Sequence, residues 1–182
     1  MKIGVDLDDN SFDFVGAYLL FHNETYKTNL KKEDFRIYSF NGNRIRKFYN
    51  TSFFSEIKPF PGAVEVLQKL KENNELIVVT SRPISIKEKT FEQIDRSFPN
   101  TFSEVFFSSN YYTKAKNSGK TKAEICLERN VSLMIEDSLV YAKQCAEKGI
   151  KTILLDSPWN QNGSLEEIIR VKNWEEIGGL LL

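Results

Sequence analysis

Apolar residues fall into two alternating patterns along the chain, short uninterrupted runs and longer stretches with helical spacing. The first run stands at the start, where β-branched Ile3 and Val5 precede an abrupt change to Asp6-Leu7-Asp8-Asp9-Asn10. A short apolar run without helical period predicts a strand buried on both faces of a parallel sheet. Runs at 76–79, 105–107, 133–135 and 152–155 predict four more strands. Helical spacing predicts a helix begun by Pro61, with Val64, Leu67 and Leu70 on one face, since proline suits a first turn. Further helices are expected over 85–98, 121–129 and 140–148, and a last one from Trp174. Strands alternating with helices imply an α/β fold: a Rossmann-like parallel sheet with right-handed crossovers and helices on both faces.

The stretch between the first strand and Pro61 breaks that alternation. Asn10 or Ser11 is placed to cap a helix through Phe14, Tyr18 and Phe21, and short helices are expected over 31–37 and 43–50. Thirteen of the 23 aromatic residues lie between Ser11 and Phe60, interleaved with lysines and arginines. A connection within an α/β sheet usually takes one helix, so roughly fifty residues here imply an inserted subdomain. The expected division is a small helical cap at 15–59 on a core made of 1–14 and 60–182, the insertion ending where Pro59 and Pro61 break the pattern. A length of 182 residues suits one domain with an insertion.

Charge narrows the partners. With 25 Lys+Arg against 25 Asp+Glu, no global field attracts a nucleic acid polymer or a membrane surface, so any anion must be held locally. No apolar stretch approaches the ~20 residues that span a bilayer. Cys126 and Cys145, the only cysteines, sit in helical segments and do not look like a disulfide framework. A cytoplasmic protein is expected, and an oligomer is left open.

The chemistry gathers at the strand ends. Ligands of such sheets bind outside the carboxyl ends of the strands, so Asp6 and Asp8, Thr80 and Ser81, Ser108, Glu136 and Asp137, and Asp156 should share a crevice. Asp6 and Asp8 leave extended backbone on the same side, roughly 7 Å apart, and their repulsion raises one pKa or recruits a cation. Hard carboxylate oxygens suit Mg²⁺, which keeps its other positions for water and phosphate. Thr80 and a lysine from the 114–122 loop offer donors to phosphate.

In order and spacing these residues resemble the four motifs of the haloacid dehalogenase superfamily of phosphohydrolases: Asp6-Leu7-Asp8, Thr80, Lys122 or Lys120, and Glu136-Asp137. Within it, Asp-Leu-Asp-Asp followed by Asp13-Phe14, the Phe53 to Ala63 run, Thr-Ser-Arg-Pro, Lys122 to Cys126, Ile-Glu-Asp-Ser and Pro-Trp-Asn look like the 5'(3')-deoxyribonucleotidase group. Asn10 departs from that group, which usually has Thr or Val there. The resemblance implies a Mg²⁺-dependent phosphatase for a small phosphorylated substrate, a nucleoside monophosphate first and another phosphorylated metabolite second. It implies that Asp6 is the nucleophile and that Asp8 protonates the leaving alcohol and then activates water. Thr80, the Ser81 amide and Lys122 would bind the phosphoryl group. The Asp6 carboxylate, the Asp8 carbonyl and Asp137 would hold the metal, with Glu136 orienting the lysine or a metal-bound water.

Other readings fit less well. Asp6-x-Asp8-x-Asn10 opens like a calcium-binding EF-hand loop, but Ser11 replaces the needed glycine and Ala17 the closing glutamate. A phosphorelay receiver would need an aspartate after the third strand, where Ser-Ser-Asn stands. A catalytically weak phosphate-binding relative remains the non-enzyme alternative. Arg82 is divided between phosphate contact and a surface ion pair, Trp159 is assigned first to packing, and His22 has no evident partner.

Overall fold

A computed structural model describes residues 1–35, 42–111, 119–163 and 166–182. Among them six strands form one wholly parallel sheet: β1 (Lys2–Val5), β2 (Glu75–Thr80), β3 (Glu104–Phe107), β4 (Leu133–Glu136), β5 (Lys151–Leu155) and β6 (Ile168–Val171). Their order is β3-β2-β1-β4-β5-β6, the doubly wound arrangement. The central strands are apolar because both faces are covered; Ile3, Ile77, Val78, Val79, Met134, Ile135 and Ile153 are all fully buried.

Five strands stand where periodicity places them, and β6 is a sixth that it does not reveal. β6 is an edge strand with Ile169 and Arg170 turned to solvent, so it lacks the apolar run that marks its neighbours.

The helices are α1 (Phe14–Tyr26), α2 (Gly42–Phe48), α3 (Ser52–Ser55), α4 (Ala63–Asn73), α5 (Lys87–Ser97), α6 (Lys122–Glu128), α7 (Leu139–Ala146) and α8 (Trp174–Leu181). α1 to α3 lie between β1 and β2, ahead of α4. Two starts differ from expectation. Asp13, not Asn10 or Ser11, caps α1 by accepting from the Gly16 N–H, because residues 7–12 are spent on a tight turn. α4 begins at Ala63 after Gly62, whose φ of +82° suits glycine; Pro61 lies just outside. The helix expected over 31–37 is a single 3₁₀ turn at Lys32–Asp34, and Arg36 and Ile37 lie outside the described residues.

The described aromatic residues of the 14–54 stretch do not form a core of their own. Phe14, Phe21, Phe48 and Phe54 belong to the same buried cluster as Val5, Leu67 and Ile135, and ring edges meet faces at 5.4–5.5 Å in the Phe14–Phe48 and Phe48–Phe54 pairs. His22, which had no evident partner, is held between Thr28 and Arg44 at 2.8 Å each.

Candidate active site

β1 is flanked by β2 on one side and β4 on the other, so the chain reverses its winding direction beside β1 and leaves a crevice at the carboxyl ends of β1 and β4. Asp6 and Glu136-Asp137 follow those two strands, and the Asp6 N–H donates to the Ile135 carbonyl at 3.0 Å. The chain then turns sharply. Leu7 C=O accepts from the Ser11 and Phe12 N–H groups, and Asp9 takes φ +56°, a left-handed conformation that Asp tolerates better than most residues. That turn brings Asp8 round to the crevice and lets the Asp9 carboxylate accept from the Val15 N–H at the start of α1.

Lys122 opens α6, which the Thr121 capping box starts, and its ammonium is buried between two carboxylates, 2.7 Å from Asp6 and 2.8 Å from Glu136. It also stands 4.5 Å from the Tyr141 ring centre. Burial alone would depress the ammonium's pKa, but Asp6 and Glu136 outweigh it and hold it raised. Lys120, the other lysine weighed from sequence, instead pairs with Glu128 at 2.7 Å on the exposed side of α6.

Asp6, Glu136 and Asp137 offer oxygens within 4.8 Å of one another, all buried. One ammonium cannot neutralise three carboxylates. Burial pushes Asp6 up to about 7, with Glu136 adding to the rise and Lys122 opposing it. Burial does the same to Asp137, also to about 7, reinforced by Asp6. Glu136 rises to about 7 from burial against the pull of Lys122. Asp9, close to Asp137, is raised as well, again chiefly by burial. The excess of buried negative charge on hard oxygen donors fits a divalent cation such as Mg²⁺. Both Glu136 oxygens are already used, by Lys122 and by the Ser138 N–H, so Asp6 and Asp137 are the carboxylates better placed to bind it.

Asp8 sits apart from that cluster. Its carboxylate accepts from Arg82 Nε at 3.0 Å and Nη2 at 2.6 Å. Arg82 is therefore not a surface ion pair but a buried partner of Asp8, 2% exposed, on the lining of the same crevice. Thr80 is buried at the end of β2, its hydroxyl accepting from the Arg82 N–H at 3.2 Å. Ser81 and Ser108 share a hydrogen bond at 2.8 Å, and Asn110 donates to the Ser81 carbonyl at 3.1 Å, which ties the ends of β2 and β3 together.

Trp159, assigned first to packing, reaches the crevice. Its indole N–H donates to Asp137 Oδ2 at 2.7 Å and its ring meets Phe35 edge-on. Asn160 beside it is buried, donating to the Asp137 and Leu155 carbonyls. Asp6, Asp8, Thr80, Ser81, Lys122 and Asp137 all line one crevice, whose apolar walls are Phe14, Phe35, Ile45, Tyr49, Tyr141 and Trp159. Asp156, the remaining strand-end acid, turns away and pairs with Arg170 at 2.6 Å. Of the lining residues that sequence reasoning missed, Asp9 and Asn110 carry the strand-end signal already in use; Tyr49 and Phe35 carry none that separates them from core aromatics.

The chain is similar to several known proteins. The chain is 24% identical to the nucleotidase CA_C3379 of Clostridium acetobutylicum, over 100% of this chain and 93% of that one. The fold matches a haloacid dehalogenase-like hydrolase, SP0104, from Streptococcus pneumoniae, at TM-score 0.68 and 15% identity over 98% of this chain and 97% of that one. It also matches YfnB from Bacillus subtilis, solved with magnesium bound, at TM-score 0.70 and 16% identity over 99% and 97% of the two chains. Its fold is thus that of the haloacid dehalogenase-like hydrolases, and the family model described as 5' nucleotidase, deoxy (pyrimidine), cytosolic type C protein (NT5C) matches residues 1–182, so the chain belongs to that family and is a hydrolase of the nucleotidase type.

Proposed function

We propose that the protein is a Mg²⁺-dependent phosphomonoesterase that hydrolyses nucleoside monophosphates through an aspartyl-phosphate on Asp6. The observation that carries this is the convergence of the Asp6 and Asp137 oxygens within 4.8 Å beside the buried Lys122 ammonium. A cation would be held by Asp6, Asp137 and, as the family resemblance implies, the Asp8 carbonyl; when bound, Mg²⁺ supplies charge neutralisation to the phosphoryl oxygens.

The chain's own residues do the rest. Lys122, Thr80 and the Ser81 amide bind the phosphoryl oxygens in this reading. An Asp6 oxygen attacks phosphorus as the bond to the ester oxygen breaks, and Asp8 gives its proton to the departing alkoxide. Asp8, now a carboxylate, takes a proton from water as that water attacks phosphorus. The Asp6–phosphorus bond breaks, inorganic phosphate forms, and Asp8 is again protonated. Residues 15–59 act as the cap over this chemistry. Their rings at Phe35 and Tyr49, together with Trp159, give the crevice the flat apolar walls that a nucleobase can stack on, a contact worth about 1–3 kcal/mol per base on single-strand platforms. The buried free thiols of Cys126 and Cys145 fit a reducing cytoplasm.

Phosphate release from a panel of nucleoside monophosphates and sugar phosphates tests the reading. It expects magnesium-dependent release with a preference for nucleotides. Equal rates on sugar phosphates would remove the nucleotide assignment, and no release from any monoester would remove the phosphatase assignment.

A further inference from the structure

We propose that Gln93, on α5 and away from every strand end, is a positioning residue for the reaction, holding the Asp8 carboxylate through Arg82 and tying it to the insertion. The proposal rests on the reading of Asp8 as general acid and base. The Arg82 guanidinium is planar and rigid, so an anchor on one edge fixes what the other edge presents. One edge, Nε with Nη2, holds Asp8. At the other, Nη1 donates to Gln93 Oε1 at 2.6 Å and more weakly to Thr90 Oγ1 at 3.4 Å. The rings of Phe54 and Phe12 lie 5.2 and 5.6 Å from the guanidinium carbon and limit its tilt.

Gln93 is itself 1% exposed, and its amide has one workable orientation. Oε1 faces the cation, and Nε2 donates to the Phe54 carbonyl in α3. Turning the amide over would set an NH₂ against a guanidinium and a carbonyl against a carbonyl. A continuous line therefore runs from the backbone of α3, through Gln93 and Arg82, to a carboxylate in the crevice. α5 grips the same part of the insertion on either side: Lys89 donates to the Tyr49 carbonyl at 2.7 Å, and Arg96 to the Ser55 carbonyl. The seat of the insertion on α5 and the pose of Asp8 are thus set by one set of hydrogen bonds.

A glutamine that merely satisfied a buried arginine would matter for stability alone. A positioning residue matters most where Asp8 must deliver a proton. Para-nitrophenolate is a weakly basic leaving group that departs with little help, whereas the alkoxide of a nucleoside must be protonated. The test compares wild type with Gln93→Met, measuring kcat at saturating para-nitrophenyl phosphate and at a saturating nucleoside monophosphate, so that weaker binding of the base, which appears in KM, does not enter. Because the same protein sample meets both substrates, the ratio of the two values does not depend on what fraction is folded. The expected result is a ratio shifted against the nucleotide by about tenfold or more, a modest part of the 10²–10⁴ that general acid–base catalysis supplies. An equal fall on both substrates, or no fall on either, overturns the proposal while leaving the phosphatase reading intact. A wild-type protein that hydrolyses neither ester overturns that reading and the proposal with it.

Discussion

Asn10 is fully buried, and both polar atoms of its side chain lack a hydrogen-bond partner. Its backbone carbonyl, by contrast, is engaged, accepting from the Trp174 indole at 2.8 Å. An unsatisfied buried amide costs about 1–3 kcal/mol, so Asn10→Val should raise stability by about 1 kcal/mol in urea unfolding, with unchanged denaturant slope. A loss of stability would mean that the amide is satisfied in solution. Trp159 makes the opposite case, a side chain whose single N–H has a specific acceptor. Trp159→Phe keeps the ring but frees Asp137, and should weaken Mg²⁺ binding by about tenfold in calorimetry, as removal of partners of metal ligands usually does. The acidic cluster also sets a pH dependence. Asp6 and Asp137 have folded-state pKa values raised to about 7 from the ordinary 3.8, so their contribution to stability is present below about pH 4 and is lost as pH rises through 7. A divalent cation bound to the deprotonated pair, as proposed, would restore it. The Tm gain from Mg²⁺ over a chelator should therefore grow from pH 5 to pH 8, and a gain independent of pH would contradict this account of the cluster. At this scale the sequence revealed the crevice residues at the ends of apolar strands, Asp6, Asp8, Thr80, Ser81 and Asp137, whereas Lys122, which opens α6, was singled out by the family resemblance. It did not reveal which way Arg82 and Trp159 face, because inward and outward placement of one residue after a strand depends on turn geometry that no spacing records.

Elements were legible where burial on both faces made them uniform. β1, β2, β4 and β5 are apolar throughout their inner residues, and periodicity located them; β6, half exposed at the sheet edge, went unseen. Helix starts were less legible, since several candidate caps competed within a few residues. Asp13 prevailed because Asn10 and Ser11 are held by the turn, where the Ser11 hydroxyl donates to the Asp6 carbonyl at 2.8 Å. Asp13→Ala should cost about 1 kcal/mol through loss of this cap, the exposed Lys32 pair adding little. Thermal denaturation of Asp13→Ala beside Asp13→Asn, which keeps a capping oxygen, separates the two contributions: the asparagine variant should stay close to wild type.

At the scale of the whole molecule, the strand order explains why residues 6 and 137, far apart in sequence, share a cation-sized space. They follow adjacent parallel strands at the place where the winding reverses. The same order was readable from the alternation of runs and helices only as a class, since neither which strand neighbours which nor the sixth strand is written in local pattern. The pattern marks the aromatic stretch as a candidate insertion between β1 and β2; its described rings share one buried cluster with residues of the sheet, and α5 holds its backbone at Tyr49 and Phe54. The central claim is that Asp6 carries the phosphoryl group during turnover. Acid quenching of the enzyme within its first turnovers on a nucleoside monophosphate bearing radiolabelled phosphate, followed by peptide mapping, tests it most directly. Label is predicted on the peptide containing Asp6, and none in Asp6→Asn, which should not turn over; label on another residue, or wild-type turnover by Asp6→Asn, would contradict it.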